Sequence, residues 1–286
     1  MRCGGLSRSR GLSSREIRAE LDFLYRFYNH RKYVHPDPLE FLYNYPQRKD
    51  REVAALIASS LAYGRVRLIV ANVGKILDTL GPTPHFFLEE TDPAAIRRML
   101  RGFKYRFTTA GQMAGLLCGI RKIIREHGSL YAFFLEAFNS ARSTADRPRL
   151  LGALSRFADA LCEGKYNSLV PDPGKNSACK RFHLFLKWIV RRDRVDPGGW
   201  EAIPPSELIV PLDTHMYRTG RIMGFTTRKQ ADLKAALDIT DGYRKIEPQY
   251  PVKFDFAVTR LGIRRGMKDH ELEKSRLFQL AYAKDV

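Results

Sequence analysis

The sequence lacks the features of a membrane, secreted or metal-bound protein. Its 286 residues contain no apolar run close to the roughly 18 residues that a membrane span needs. The first residues are basic without the apolar segment of a secretion signal, so we expect a cytoplasmic protein. The 4 cysteines make no Cys-x-x-Cys pair, and the 7 histidines have no metal-ligand spacing. We therefore expect reduced thiols, no metal site and no cofactor.

Acidic residues are few relative to basic ones. The chain has 49 lysines and arginines against 31 aspartates and glutamates, which gives a net charge of +18. A nucleic acid is the partner that this excess favours, because each neutralised phosphate releases counterions. A generally basic surface is the alternative. An anionic membrane is less favoured, since no basic amphipathic helix stands out and no membrane partner is expected.

Alternating apolar patterns are also scarce, and helical periodicity dominates. The spacing predicts an all-α fold of about ten helices, with ELIVPL as the only short strand candidate. Ser13 and Glu16 fit a capping box before a first helix whose apolar face is Ile17, Leu21, Leu24 and Tyr28. Further helices are predicted over 50–65, over 66–80 with Gly81 as a stop, and over most of the remaining chain up to a solvated terminal helix.

The stretch VPLDTHMYR, residues 210–218, follows the Gly/Pro-rich loop 195–207 and opens a predicted helix. Asp213 is in the position of an N-cap, where a carboxylate accepts the unpaired amides of the first turn. A second Pro/Gly turn, at 167–176, precedes the segment SACKRFHLFLKW. These two loops precede the residues that are the clearest candidates for a chemical role.

LDTHMYRTGRIMGF resembles the VDTHVxRVxxRLG signature of the helix-hairpin-helix–GPD superfamily of DNA glycosylases, the endonuclease III relatives. LIASSLAYGRVRLIVANVGKIL is similar to that superfamily's early helix pair and FDFAVTRLGI to its late core helix, so the matches cover most of 50–263. The resemblance implies a two-lobed helical DNA glycosylase. Its lobes are 50–193 and 1–49 plus 205–286, and 194–204 is the connector between them.

By this resemblance Asp213 is the catalytic aspartate. A fixed carboxylate stabilises the positive charge that builds at C1′ as an N-glycosidic bond breaks. The helix N-terminus favours its ionised form, so capping and catalysis are compatible. The superfamily's LPGVG-type hairpin with its lysine is missing here. The run from Lys180 to Lys187 resembles instead the lysine helix of the archaeal 8-oxoguanine glycosylase branch, and Asp213 lies 33 residues after Lys180.

Lys180 is the predicted nucleophile. We expect it in the first turn of a helix that begins at Asn176 or Ser177. The helix dipole and the neighbouring charges of Lys175 and Arg181 disfavour its ammonium form, and attack on C1′ requires a neutral amine. The alternatives are a phosphate-contacting or solvated lysine at this position. Lys187, on nearly the same face, is the alternative nucleophile.

The other candidates divide into a base pocket and a DNA-backbone set. Trp200, Trp188, Tyr63 and His183 are candidates for the pocket, although a place in the core is the favoured alternative for Trp188, and a core or surface position for His183. The Tyr63–Arg65 turn is a candidate wedge into the duplex. The residues predicted to contact phosphates are Lys175, Arg181, Arg65, Arg218 and Arg221, and Arg218 alternatively pairs with a carboxylate.

The sequence therefore predicts a monomeric base-excision glycosylase that acts on double-stranded DNA containing a damaged base. AP-lyase activity would proceed through a lysine Schiff base, and an oxidised purine such as 8-oxoguanine is the first choice of substrate, before oxidised pyrimidines and alkylated bases. One rival is a catalytically silent DNA- or RNA-binding protein on the same fold, which the missing hairpin glycines favour. Another is a glycosylase that uses Asp213 and water alone.

Overall fold

The computed structural model describes residues 12–144, 147–162, 164–175, 177–263 and 275–282. Within these ranges there are thirteen α-helices, four short 3-10 helices and one two-stranded antiparallel sheet. The predicted all-α character is confirmed, whereas the number of helices is larger than predicted. No helix in these ranges is both long and apolar enough to cross a membrane.

The helices are α1 Ser14–Tyr28, α2 Arg48–Ser60, α3 Val66–Leu80, α4 Pro84–Glu90, α5 Pro93–Met99, α6 Ala110–His127, α7 Leu130–Ser140, α8 Arg149–Cys162, α9 Lys180–Val190, α10 Thr214–Ile222, α11 Leu233–Ile246, α12 Asp255–Ile263 and α13 Arg276–Tyr282. The 3-10 helices are Arg31–Tyr33, Pro38–Asn44, Pro173–Lys175 and Pro205–Glu207. Strands β1 Lys104–Tyr105 and β2 Thr108–Thr109 form a hairpin.

Several helix ends lie where the capping and stop residues of the sequence predict them. Ser13 and Glu16 form the predicted capping box of α1, and all four residues of its predicted apolar face are buried. Gly81 ends α3 with φ 74°, a conformation that glycine adopts without steric cost. Asp213 is the N-cap of α10, and its side chain accepts the amide of Met216 at 2.8 Å.

Other boundaries differ from the predictions. Helix α2 ends at Ser60 rather than 65, so Tyr63 and Gly64 lie on the loop before α3. Helix α9 begins at Lys180 rather than at Asn176 or Ser177, because Cys179 takes a left-handed conformation that interrupts the helical path. Lys180 still lies in the first turn.

The predicted strand and the predicted terminal helix also need correction. Residues 207–212 form no strand, because no other segment of the described residues pairs with them; the amide of Val210 instead donates to the hydroxyl of Thr240. The terminal helix was predicted to be solvated, but α13 buries Leu277 and Tyr282 in contacts with α1 and α10. Two parts of that predicted helix, 269–274 and 283–284, lie outside the described residues.

The core is organised around α2, whose residues Glu52–Ser60 are all buried. Because this helix is apolar nearly all round, other helices cover every side of it, including α9, α7 and α4. Near the N-terminal end of this helix, the buried Glu52 accepts hydrogen bonds from the amides of Leu130 and Tyr131 and from the indole of Trp200. The opposite end of α2 leads directly to the candidate site.

Candidate functional site

Lys180 and Asp213 meet in the folded chain. Lys180 is the first residue of α9, Asp213 caps α10, and their Nζ and Oδ2 atoms are 3.9 Å apart. The lysine side chain is 37% exposed and the aspartate side chain 19% exposed. The two residues chosen from the sequence as a catalytic pair therefore lie side by side, and a substrate can reach both.

The pair lines a cavity of about 610 Å³. Most of the wall is apolar, and aromatic surface comes from Tyr63, Trp188 and Phe256. The lining residues come from five separate parts of the chain and from Ala231. These parts are residues 37–39, 62–69, 180–188, 211–215 and 255–263.

A second cavity of about 700 Å³ lies where α2 begins, at the far end of that helix. It is basic, with Arg48, Arg51 and Arg192 among its lining residues. The guanidinium of Arg51 already donates hydrogen bonds to the carbonyl groups of Tyr45, Pro46 and Gly198. We place the candidate site in the smaller cavity, because that one contains the lysine and carboxylate side by side.

A buried group of charges forms part of the cavity wall. Lys187 Nζ lies 2.8 Å from Asp255 Oδ2 and 3.6 Å from Asp196 Oδ1. Arg191 pairs with the second oxygen of Asp196 and with Asp193. Burial raises the pKa of Asp196 to about 6 and also raises the pKa of Asp255, in both cases against the opposing effect of the Lys187 charge.

Lys187, the alternative nucleophile of the sequence analysis, has the wrong environment for that role. Its side chain is only 2% exposed. Burial by itself would lower the pKa of Lys187, but the charges of Asp196 and Asp255 outweigh burial and hold that pKa above its usual range. A lysine that stays protonated is a poor nucleophile, so the geometry favours Lys180.

Two of the four predicted base-pocket residues line the cavity. Trp188 is on its wall, and Tyr63 is also there, held by its hydroxyl 2.6 Å from that of Thr108. Trp200 does not line the cavity; it is fully buried in the core against Phe134 and Phe185. The prediction for Trp200 is therefore wrong, because its ring packs between α2, α7 and α9.

His183 is also absent from the cavity wall, so the prediction that it contributes to the pocket is wrong as well. It is 1% exposed, and neither ring nitrogen has a hydrogen-bond partner among the described residues. Burial lowers the pKa of His183 to about 3, so the ring stays neutral in the folded protein. His183 is a core residue.

The predicted phosphate-contacting residues fall into two groups. Arg181 has a structural task, since it donates to the carbonyl groups of Ser60 and Ser168 at the cavity edge. Lys175 is exposed and lies 3.7 Å from Asp172. The remaining three are on the surface: Arg65 before α3, Arg218 beside the ring of Tyr282, and Arg221 beside the ring of Tyr217.

Three features of the site were not predicted from the sequence. Asp255 opens α12 inside the FDFAVTRLGI match, where nothing in the spacing marked its carboxylate. His215 lines the cavity two residues after Asp213, with Nδ1 3.0 Å from the hydroxyl of Tyr282. The β1–β2 hairpin contacts Tyr63 and presents Phe107, which is 76% exposed. The two-residue strands are too short for a periodicity signal.

A family model described as "Protein of unknown function (DUF2400)" matches residues 37–264. The chain belongs to this family. The match spans every residue that lines the cavity, from Asp37 to Ile263. No curated protein and no solved structure matches the chain.

Proposed function

We propose that this DUF2400 protein is a DNA base-excision glycosylase with AP-lyase activity, on the helix-hairpin-helix–GPD fold that its motifs resemble. The observation that carries the proposal is the Lys180–Asp213 pair, 3.9 Å apart at the edge of a cavity of about 610 Å³. An accessible amine beside a fixed carboxylate is the pair of groups that this chemistry requires.

The reaction assigns a separate task to each group. Lys180 Nζ, as the neutral amine, attacks C1′ of the damaged nucleotide, and the base leaves with the electron pair of the glycosidic bond and takes up a proton. Asp213 stabilises the positive charge that develops at C1′. Opening of the sugar ring converts the amine adduct into a Schiff base, and elimination of the 3′ phosphate then cuts the strand.

The cavity suits a flat base turned out of a duplex. Its wall is largely apolar and includes the partly exposed ring of Tyr63, against which a base can stack, with the mostly buried rings of Trp188 and Phe256 beside it. A net charge of +18 supports binding to the DNA backbone. We propose an oxidised purine such as 8-oxoguanine as the substrate, and a monomer that acts in the cytoplasm on nucleoid DNA.

Borohydride trapping tests the proposal. Reduction of the Schiff base should link the protein covalently to an oligonucleotide that contains the damaged base. Lys180→Gln should abolish the adduct while leaving DNA binding nearly intact, because the change removes the nucleophile alone. Lys234→Gln is the matched control and should keep the adduct, since Lys234 is an exposed lysine in the first turn of α11 and does not line the cavity.

Two results would count against the proposed mechanism. One is an adduct that persists in Lys180→Gln and disappears in Lys187→Gln. The other is the absence of an adduct across a panel of oxidised and alkylated bases. Base release without an adduct would instead favour the mechanism with Asp213 and water.

The second candidate is a nucleic-acid-binding protein without catalytic activity. The observation that favours it is the exposed Phe107 on a basic hairpin with Lys104 and Arg106, a surface that needs no chemistry to bind DNA or RNA. Tight, salt-dependent binding with neither base release nor strand cleavage on any lesion would support this candidate.

A further inference from the structure

We infer that Lys187 and Asp255 together recognise the N7–H and C8=O groups, which oxidation at C8 creates on one edge of a purine base. This inference rests on the proposed function, because it concerns the base that enters the same cavity. It assigns to the buried ion pair a role in substrate selection rather than in bond breaking.

The first support is position. Both side chains line the cavity that contains Lys180 and Asp213, yet both are almost completely buried. Lys187 comes from α9, two turns after Lys180, and Asp255 opens α12. The third member of the buried charge group, Asp196, contacts Lys187 but does not line the cavity. Among the described members of that charge group, Lys187 and Asp255 are therefore the two placed to contact a base.

The second support is the unused bonding capacity of the pair. Asp255 Oδ2 contacts Lys187 Nζ at 2.8 Å, but no described residue donates to the buried Oδ1 atom. Lys187 has three N–H donors, and its other carboxylate contact is the 3.6 Å approach of Asp196 Oδ1. A buried carboxylate oxygen without a donor is unusual, and a ligand N–H group would supply the missing partner.

The third support is the match between these groups and one class of base. Oxidation at C8 turns N7 from an acceptor into an N–H donor and replaces C8–H by a carbonyl group. A carboxylate beside an ammonium offers an acceptor for N7–H and a donor for O8. The same carboxylate repels the N7 lone pair of normal guanine, so the pair both selects the oxidised base and rejects the intact one.

Base analogues test the inference with the unaltered protein. Excision should be measured on duplexes of one sequence that contain 8-oxoguanine, 8-oxoadenine, 8-methoxyguanine or guanine. The first two share the N7–H and C8=O groups and should be excised. The last two keep N7 as an acceptor and should react at least roughly tenfold more slowly than 8-oxoguanine. Equal rates for 8-oxoguanine and 8-methoxyguanine would overturn the inference.

Asp255→Asn tests the same point from the protein side. An amide can donate to N7 of guanine, so the ratio of 8-oxoguanine to guanine excision should fall by roughly 10- to 100-fold. Asp193→Asn is the matched control, because Asp193 belongs to the same charge group but contacts Arg191 rather than Lys187 and lies off the cavity wall. It should leave the ratio unchanged.

The outcomes separate this inference from the proposed function. If the unaltered protein excises no base and forms no trapped adduct, the proposed function fails. If it excises 8-oxoguanine but the ratio is the same in Asp255→Asn and the unaltered protein, only the assignment of Lys187 and Asp255 fails. Circular dichroism and thermal unfolding identify a variant that has not folded, and the base analogues then decide.

Discussion

At the scale of single residues, environment rather than residue type sets the chemistry. Lys180 and Lys187 lie on one helix, seven residues apart. Lys180 is partly exposed and faces one carboxylate at 3.9 Å, whereas Lys187 is buried between two carboxylates at 2.8 and 3.6 Å. The first arrangement leaves an amine that a substrate can reach. The second stabilises an ammonium group that is held between the two carboxylates.

Glu52 gives a residue-scale prediction about stability and pH. Burial raises the pKa of Glu52 to about 7 from its usual 4.5, despite hydrogen bonds from Trp200, Leu130 and Tyr131. The folded state therefore holds the proton more tightly than the unfolded state. Protonation of Glu52 therefore stabilises the folded state. This contribution is fully present below pH 4.5 and is lost as the pH rises to about 7. The loss is on the order of 3 kcal/mol of unfolding free energy.

Denaturant unfolding at pH values from 4.5 to 8, followed by tryptophan fluorescence, measures this loss. Glu52→Gln cannot titrate, so the difference in stability between the two proteins should change across this range in the stated direction. His183, whose lowered pKa acts with the opposite sign, contributes equally to both proteins and cancels in the comparison. A difference that is independent of pH would contradict the prediction.

At the scale of elements, the site is where two helices begin. Helix α9 starts at Lys180 and α10 starts directly after Asp213, so the first turns of both helices meet at the cavity. A carboxylate at such an end is stabilised by the helix dipole and by the amide that it caps. The cap therefore also orients Asp213 towards Lys180, and its structural role and its proposed catalytic role can be separated by substitution.

Asp213→Asn should abolish base excision while changing the unfolding free energy by only a few tenths of a kcal/mol, because asparagine is an equally good N-cap. Asp232→Asn is the control. Asp232 caps α11 in the same geometry, and its Oδ1 accepts the amide of Ala235 at 2.8 Å, as Asp213 accepts that of Met216. Excision assays and chemical denaturation on both variants should show that only Asp213→Asn loses activity. Full activity in Asp213→Asn would exclude a catalytic role for this carboxylate.

At the scale of the whole molecule, the charge balance leads to a prediction about the proposed association with DNA. A net charge of +18 on 286 residues implies a binding constant for undamaged duplex that falls steeply with salt. Binding titrations at several salt concentrations should give a linear double-logarithmic plot. Arg65→Ala and Arg221→Ala, which remove exposed charges, should each reduce the slope by about 1. Binding that does not depend on salt would remove the charge argument for a nucleic-acid partner.

Local rules were enough to predict much of this protein from its sequence. The capping box at Ser13, the stop at Gly81 and the cap at Asp213 depend on hydrogen bonds that span only three or four residues, so sequence spacing determines them. The apolar face of α1 follows for the same reason. The prediction that Lys180 and Asp213 form a pair depends on a family resemblance, because no local sequence pattern determines the distance between them.

Tertiary structure decided the features that depend on contacts between distant parts of the chain. Trp200 and His183 are buried in the core, and 207–212 form no sheet because no segment of the described residues pairs with them. The buried pair of Lys187 with Asp255 joins helices α9 and α12. Periodicity describes which face of one helix is apolar, whereas the environment of a polar side chain depends on which other elements pack over it. For that reason the sequence predicted the caps and the helix faces, and only the fold determined the composition of the cavity.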